Sequence, residues 1–516
     1  MTRGRRTSLR GVPALGAAAL VLAAAPVAGA TTGLASTSDI RDATATPVVV
    51  VVDDDRAQCP RADTTSVQDA VDRVRDGGLV RVCAGRYPER VTIDHPVRVQ
   101  GEVGAVASFD CLDPTPKGSD VLDPSRFAIL EPEQPDVGEV TTPLRVEADD
   151  VDVSGLVVQG LTDDSPERPT PTITLYDAAI AVPDTAARVR LHHNLVRDNT
   201  LGIELGGPQA RADHNCLRDN DFAIANQRYP LVRGRIDDNT TFRTALRALE
   251  IGWSYAGTTD VRIDHNVSVD DPAAAVYWVE YAVRPRVEAN EVQGSRSVVV
   301  LRLSTGAVVS GNEIRAGNVG LAVTRNTDAA VVDNHVTTSA QGVTLGGGNV
   351  HVTVARNEVA GSASGGAYGV LLLPPAPAPV NEDITVEDNT VWGLNGSPGS
   401  GVVVNRGSVR PGSLVRRNVV SGNPGDGIVL GPDVDGLLVS ANVANGNGVD
   451  GIRTEAGASG NVLEDNVAVG NGGVDARDLS SGPGAPTVLN QWLATTCVTD
   501  VPVGAICTSP ATALIP

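Results

Sequence analysis

The stretch VRIDHNVSVD, Val261 to Asp270, contains the unit that repeats along this chain. An apolar residue, Ile263, stands three positions before Asn266, and the position two residues after the asparagine is mainly apolar in the other copies of the unit. The unit recurs at intervals that mostly run from about 21 to 27 residues, on Asn194, Asn215, Asn239, Asn266, Asn290, Asn312, Asn334, Asn357, Asn389, Asn418, Asn442 and Asn466. The residues three positions before these asparagines are all apolar: Leu191, Ala212, Ile236, Ile263, Val287, Val309, Val331, Val354, Val386, Val415, Val439 and Leu463.

This repeat predicts a solenoid of short β-strands. Alternating burial repeated at such an interval is typical of coils that stack about 4.8 Å apart. We expect each asparagine to lie at a tight bend, where it tolerates left-handed backbone geometry and its amide can bond to the asparagines of neighbouring coils. Stacked aliphatic rungs need few rings, in agreement with an aromatic content of 3%.

On these repeats, residues 146–490 resemble a right-handed parallel β-helix of the pectin-lyase-like type. The resemblance implies an all-β fold, a single-stranded solenoid with an N-terminal capping α-helix. Residues 64–101 are similar to the cap and first coils of such proteins, and Val67, Ala70, Val71 and Val74 would form the helix face that covers the apolar stack. Residues 487–507 resemble the C-terminal segment of secreted actinobacterial β-helix repeat proteins.

The chain ends and the repeats together predict five segments. A basic start, an apolar run and the triplet Ala28-Gly29-Ala30 indicate a signal peptide over residues 1–30, cleaved after Ala30, by either the general or the twin-arginine export route. A flexible linker follows at 31–46, then the cap, first coils and a Pro-rich insertion at 47–145, the repeats at 146–490, and a disulfide-closed tail at 491–516. No later apolar segment is long enough for a membrane span, so we expect a secreted protein.

Charge and cysteines limit the possible partners and the compartment. A net charge of −21 argues against binding nucleic acid, and it would repel a polyuronate unless a cation bridged the two. Six cysteines in an exported chain suggest disulfides. We expect Cys59 to pair with Cys83 over the first helix and Cys497 with Cys507 in the tail, whereas Cys111 and Cys216 could form a third disulfide or remain two free thiols.

Asp264 and His265 resemble part of a pectate-lyase motif, and Arg228 to Arg233 matches an R-x-P-x-x-R pattern that those enzymes carry. The order of the two motifs is reversed here, and other coils hold varied polar residues at the positions of Asp264 and His265. We therefore interpret both as turn residues. The motif sets of pectin methylesterases, polygalacturonases and alginate epimerases are absent. Aspartate clusters such as Asp53-Asp54-Asp55 lack a spaced calcium loop, so we predict no metal ligands, although calcium remains possible.

Aromatic residues concentrate between Glu250 and Arg302 in a pattern that suits a saccharide, because rings stack on sugar faces and charged groups bond hydroxyls. The predicted substrate-binding residues are Trp253, Tyr255, Tyr277, Trp278, Tyr281 and Arg284. The predicted catalytic residues, if the protein is an enzyme, are Glu250, Glu280 and Arg302. Glu204, Glu250 and Arg302 would share the outward place on different coils, with Glu250 and Arg302 two coils apart, near 10 Å.

Two alternatives remain open for this region. The segment around Tyr277 allows two registers, and the rings could instead pack under loops. We favour a monomer that binds extracellular polysaccharide or cell-wall glycan through an exposed sheet face, with a polysaccharide lyase or glycoside hydrolase on the same face as the alternative.

Overall fold

The computed structural model describes residues 48–117, 121–132, 142–161, 178–252, 257–271, 275–294, 296–362, 365–374, 379–482 and 487–508. The signal peptide and linker predicted for residues 1–46 lie outside these ranges, so this part of the domain division stays a prediction.

Three long parallel sheets, named sheets 1, 2 and 3 below, form the walls of the molecule. Sheet 1 contains the strands Val49–Val52, Gly78–Val82, Val97–Gln100, Asp152–Ser154, Arg190–His192, Arg211–Asp213, Arg235–Asp237, Arg262–Asp264, Arg286–Glu288, Val308–Ser310, Ala330–Val332, Val350–Ala355, Glu382–Glu387, Leu414–Arg416, Leu438–Ser440, Val462–Glu464 and Gln491–Leu493. Sheet 2 contains Gly85–Tyr87, Ala128–Leu130, Leu156–Gln159, Leu195–Arg197, Cys216–Arg218, Thr240–Phe242, Val267–Asp271, Glu291–Gly294, Glu313–Ala316, His335–Thr338, Glu358–Gly361, Thr390–Trp392, Val419–Ser421, Val443–Asn445, Val467–Ala468 and Thr496–Cys497. Sheet 3 contains Val91–Ile93, Leu144–Val146, Ala178–Val182, Leu201–Leu205, Phe222–Ala225, Arg247–Ile251, Ala275–Glu280, Ser297–Arg302, Val319–Thr324, Gln341–Leu345, Tyr368–Leu372, Ser400–Val404, Ile428–Leu430, Ile452–Thr454, Ala476–Asp478 and Asp500–Val501. Gly207–Pro208 and Leu231–Val232 form a further short pair.

In the repeat region the chain visits sheet 1, sheet 2 and sheet 3 in turn and then starts the next coil. The twelve apolar residues that precede the asparagines are paired in register from Leu191 to Leu463, and each is at most 1% exposed. They belong to one continuous hydrophobic core. The fold prediction is therefore confirmed: the protein is a right-handed parallel β-helix.

The asparagines form a hydrogen-bonded ladder between sheets 1 and 2. From Asn194 to Asn466, the Nδ2 of each asparagine donates to the Oδ1 of the next at 2.8–3.1 Å. Every ladder asparagine is at most 1% exposed. Because buried amides must find partners, each coil fixes the position of the next.

The structure corrects one detail of this turn. The left-handed residue is not the asparagine but the residue directly before it, as in His265 with φ of 57°. All twelve of these residues have positive φ: His193, His214, Asp238, His265, Ala289, Gly311, Asp333, Arg356, Asp388, Arg417, Ala441 and Asp465. Aspartate, histidine and glycine suit this conformation, which explains why polar residues recur there.

The N-terminal end is closed by the helix Val67–Arg73, whose residues Val67, Ala70 and Val71 are buried in the core. Ser66 caps this helix by accepting from Asp69 N at 3.2 Å. Glu89, from the first coils, accepts hydrogen bonds from the N–H groups of Val67 and Gln68. Its negative charge at the helix N-terminus is favourable.

A second helix, Val103–Ala107, opens an insertion that lies on the outer face of sheet 2. Phe109 and Phe127 pack there with the outward residues Val157 and Leu195. The disulfide Cys111–Cys216 ties the insertion to the sheet, so these two cysteines are not free thiols.

The other cysteines pair as Cys59–Cys83 and Cys497–Cys507. Within the described ranges, no helix is long and apolar enough to cross a membrane.

Candidate functional site

The outward side chains of sheet 3 form a column with an uneven chemical character. In register along the axis it contains Ala181, Glu204, Ala225, Glu250, Trp278, Val300, Ala322, Thr344, Leu371, Val403, Val429, Arg453 and Arg477. The carboxylates lie near its N-terminal end, where Arg145 pairs with Ala181, and two further arginines lie at its C-terminal end. The middle of the column is uncharged.

Glu204 is completely buried on this outward face. Its Oε1 accepts from the backbone N–H of Arg228 at 2.7 Å, and its Oε2 lies 3.1 Å from Arg228 Nε. The first arginine of the R-x-P-x-x-R match is thus the ion-pair partner of a carboxylate on the preceding coil.

Glu250 lies two coils after Glu204 and is 1% exposed. Gln227 Nε2 donates to Glu250 Oε2 at 2.7 Å, and Arg247 Nη1 donates to Glu250 Oε1. Burial raises the pKa of Glu250 above its ordinary value despite the nearby guanidinium, and burial also lowers the pKa of Arg247. The carboxyl therefore holds a proton to higher pH than an exposed glutamate does.

Glu280 lies on the next coil and faces the same side. Its Oε2 accepts from Trp278 Nε1 at 2.8 Å, and its Oε1 lies 3.1 Å from Arg302 Nη1. Arg302 is two coils from Glu250, as predicted, but it does not share the column of Glu250, because Glu250 pairs through Trp278 with Val300. Arg302 pairs with Glu280, two positions further along the strand.

The aromatic residues do not form the exposed platform that the sequence suggested. Tyr277 is fully buried inside the core, where Ser268 Oγ donates to its hydroxyl at 3.1 Å, so the prediction that it binds substrate is wrong. Trp278 faces outward but is half-buried, with Arg247 4.3 Å from its ring centroid. Trp253 and Tyr255 lie outside the described residues.

The two remaining predicted binding residues lie in the turn that leaves the sheet 3 strand. Tyr281 is 45% exposed there and has a φ of 52°. Arg284 is exposed too, but its guanidinium forms a bidentate ion pair with Asp260 on the preceding coil. Of the two, Tyr281 is the one beside the carboxylates.

Asp264 and His265 lie on another side of the molecule, at the end of sheet 1. Arg235 donates to both oxygens of Asp264, at 3.1 and 2.8 Å, and His265 Nδ1 lies 2.8 Å from Asp264 Oδ2. Burial raises the pKa of Asp264, but these hydrogen bonds outweigh it and hold the pKa below its ordinary value. Arg190 and Arg211 likewise donate to both oxygens of Asp213 and Asp237, respectively, so this row of ion pairs is part of the scaffold.

The sequence analysis missed a second polar cluster on sheet 3, near its C-terminal end. Arg477 donates to both oxygens of the buried Asp450, and Arg453 pairs with Asp426 and Glu455. Burial raises the pKa of Asp426. Two features of the sequence could have indicated this cluster. Arg453 occupies the outward position of the strand in GIRT, and an aspartate directly precedes the glycine in two successive coils, at Asp426-Gly427 and Asp450-Gly451.

The histidines of the first coils make a further group outside this face. His192 Nδ1 lies 2.9 Å from His193 Nδ1, and the rings of His193 and His214 are stacked 4.9 Å apart. His192 Nε2 lies 3.1 Å from Asp152 Oδ1.

The carboxylates of Asp53, Asp54 and Asp55 come within 4.8 Å of one another. They already accept hydrogen bonds from the backbone N–H groups of Arg56, Arg86 and Ala57, as expected for a turn.

Comparison with known proteins agrees with the fold. A family model described as a right-handed beta helix region matches residues 275–432. A mannuronic-acid-specific family 6 polysaccharide lyase from human gut microbiota is 12% identical, with a TM-score of 0.43, covering 76% of this chain and 82% of the other. A family 6 alginate lyase is 12% identical, with a TM-score of 0.44 and coverages of 87% and 75%.

A family 87 α-1,3-glucanase from Streptomyces thermodiastaticus is 14% identical, with a TM-score of 0.33 and coverages of 84% and 66%. No curated protein matches the chain. The class that the fold defines is the parallel β-helix.

Proposed function

We propose that this protein binds an extracellular polysaccharide on the outward face of sheet 3, around Glu204, Glu250 and Glu280. The observation that supports this most directly is the burial of these three carboxylates, which are 0–3% exposed, within three successive steps of one sheet. Three steps correspond to about 14 Å, a length suited to a short run of sugar units.

The scaffold itself does not need carboxylates there. The same outward column accepts Ala181, Ala225, Ala322 and Val403 on other coils. Buried ion pairs often contribute no more stability than well-packed apolar residues, since desolvation offsets their attraction. Polar groups that the fold could replace with alanine are therefore best explained by what they bind.

The groups at the site suit a sugar. Gln227 is 3% exposed, and its Oε1 has no hydrogen-bond partner among the described residues, so it can accept from a hydroxyl. The side chain of Arg302 is 38% exposed and can donate, while Tyr281 offers an exposed ring at the border of the face. Such a set fixes the orientation of a ligand with few charged contacts.

Export is part of this proposal. Three disulfides in the folded chain suit an oxidising compartment. N-terminal sequencing of the protein recovered from culture medium tests cleavage after Ala30, and gel filtration tests the expected monomer.

Affinity electrophoresis of the purified protein in gels that contain plant, algal and bacterial polysaccharides tests the binding. We expect at least one glycan to retard the protein, and both Glu250→Gln and Arg302→Ala to weaken that retardation about tenfold or more. Glu313→Gln is the matched control, because Glu313 is an outward glutamate on sheet 2 that pairs with Arg315. Equal retardation of the control and the site variants would contradict the proposed location.

A second candidate is glycoside hydrolysis by Glu250 and Glu280. The two residues face the same side on adjacent coils, offset by two positions, which places their Cα atoms about 8 Å apart. The raised pKa of Glu250 suits a general acid. Release of reducing ends that is lost in Glu250→Gln would support hydrolysis. Products that absorb near 235 nm would instead indicate a lyase. Binding of a glycan without either product would support a binding protein that is not an enzyme.

A further inference from the structure

We infer that the glycan bound on sheet 3 is uncharged, a neutral polysaccharide and not a polyuronate or sulfated glycan. The inference rests on the proposed function and names its substrate class. It depends on how the charges of this face are arranged in the folded protein.

The arginines on the strands of sheet 3 already have carboxylate partners. Five arginines lie on these strands in the described part of the chain, and each forms an ion pair: Arg145 with Glu147, Arg247 with Glu250, Arg302 with Glu280, Arg453 with Asp426 and Glu455, and Arg477 with Asp450. A uronate would have to displace an intramolecular carboxylate from an arginine to gain a comparable contact. Such an exchange of one carboxylate for another yields little net free energy.

Between the two charged clusters lies a strip with no charged side chain. It consists of five successive strands: Val319–Thr324, Gln341–Leu345, Tyr368–Leu372, Ser400–Val404 and Ile428–Leu430. The strip is about 20 Å long. One strand, Ser297–Arg302, separates it from the strand of Glu280, so one extended chain can lie along the coils of Glu250 and Glu280 and the strip.

The surface of this strip matches the chemistry of an uncharged sugar. Tyr368 and Leu373, which are partly exposed, pack over the buried outward side chains of Leu371, Val403 and Val429. Gln341 and Thr324 are partly exposed beside them and offer an amide and a hydroxyl. The exposed parts of the Tyr368 ring and the Leu373 side chain can stack on the C–H face of a sugar ring, and the amide and hydroxyl can bond its hydroxyl groups.

A polyanion on the strip would have acidic residues at both ends, Glu204 and Glu250 on one side and Asp426 and Asp450 on the other. A bridging cation would have to compete with the guanidinium groups of Arg228, Arg247, Arg453 and Arg477 for these carboxylates. Arg296 and Arg325 are exposed in turns that border the face, and they provide the alternative route for an anionic ligand.

The test is biolayer interferometry of the full chain against immobilised neutral glycans (a β-glucan, a mannan, a fructan and dextran) and against alginate and polygalacturonate, with and without calcium. We expect binding to a neutral glycan that changes less than twofold between low and physiological ionic strength. Tyr368→Ala should weaken it at least tenfold. Trp392→Ala, an exposed aromatic of sheet 2, is the control that should leave it unchanged.

Binding to a polyuronate but to none of the neutral glycans would overturn the inference while leaving the proposed function in place, and loss of that binding in Arg296→Ala or Arg325→Ala would identify the anionic route. Binding to none of the glycans would contradict the proposed function itself. Thermal unfolding of each variant shows whether a loss of affinity reflects a loss of folded protein.

Discussion

Replacing Asn290 by alanine tests whether the ladder holds the coils together. Asn290 is 1% exposed, and its Oδ1 accepts from the backbone N–H and the Nδ2 of Asn266, both at 3.0 Å. Its Nδ2 donates to Ile263 O at 3.0 Å and to Asn312 Oδ1 at 2.9 Å. Asn290→Ala removes these four hydrogen bonds and a fifth, from Nδ2 to Glu288 O at 3.1 Å, and leaves the buried N–H of Asn266 without its acceptor.

The cost follows from these contacts. An orphaned buried N–H costs about 1–3 kcal/mol, and the two hydrogen bonds donated to neighbouring coils contribute about 0.5–1.5 kcal/mol each, for a total of about 2–6 kcal/mol. That is a large part of the roughly 5–15 kcal/mol by which folded domains are stable. We expect a clear fall in the midpoint of urea unfolding, followed by circular dichroism.

Asn395→Ala is the matched control, because Asn395 is exposed and its Nδ2 makes a single hydrogen bond, to Ser362 O at 3.2 Å. It should lower the free energy of unfolding by less than about 1 kcal/mol. If Asn290→Ala costs no more than this control, the ladder does not hold the coils together and the reasoning is refuted.

Three further predictions follow from other parts of the molecule. Because burial raises the pKa of Glu250, the contribution of this residue to stability is present below the ordinary glutamate pKa and is lost as pH rises through the raised pKa. With rising pH, the urea midpoint of the wild type should therefore fall relative to that of Glu250→Gln. A constant difference between the two midpoints across this pH range would contradict the raised pKa. Replacing Cys111 and Cys216 together by serine opens a cross-link between residues 105 apart, so the free energy of unfolding should fall by about 3–5 kcal/mol relative to the oxidised protein, an effect that should vanish when wild type is measured in reductant. Tyr277→Phe loses the hydrogen bond from Ser268 and should lower the free energy of unfolding by about 1 kcal/mol without changing the affinity for glycan. A large loss of affinity without a loss of stability would show that Tyr277 contacts the glycan.

The residues predicted to be catalytic and the rings predicted to bind substrate show where pattern reasoning succeeds and where it stops. Glu250 was placed correctly in the outward column, because the glycine or alanine that opens the strand and the inward residues on either side define its register. Tyr277 was placed wrongly because the segment allowed two registers, and a shift of one residue moves a side chain from one face of a strand to the other.

The interior of the neighbouring strands decided that register. Sheet 2 places Thr241 and Ser268 inside the core on two adjacent coils, and Thr241 Oγ1 donates to Ser268 Oγ at 2.7 Å. These small polar residues leave room for a ring and supply a partner for the Tyr277 hydroxyl. A buried tyrosine needs such a partner, so the apolar Val276 and Val279 alone could not have determined the arrangement.

The sequence by itself determined the solenoid, the ladder and the inward column, since each coil repeats the same local pattern and stacks on a neighbour that carries it too. Only the tertiary structure decided which side chains meet across coils: Arg228 with Glu204, Arg302 with Glu280, and Cys111 with Cys216. The physical reason is that outward positions are free of the packing that fixes the core, so their partners depend on coil length, turn shape and the path of the insertion.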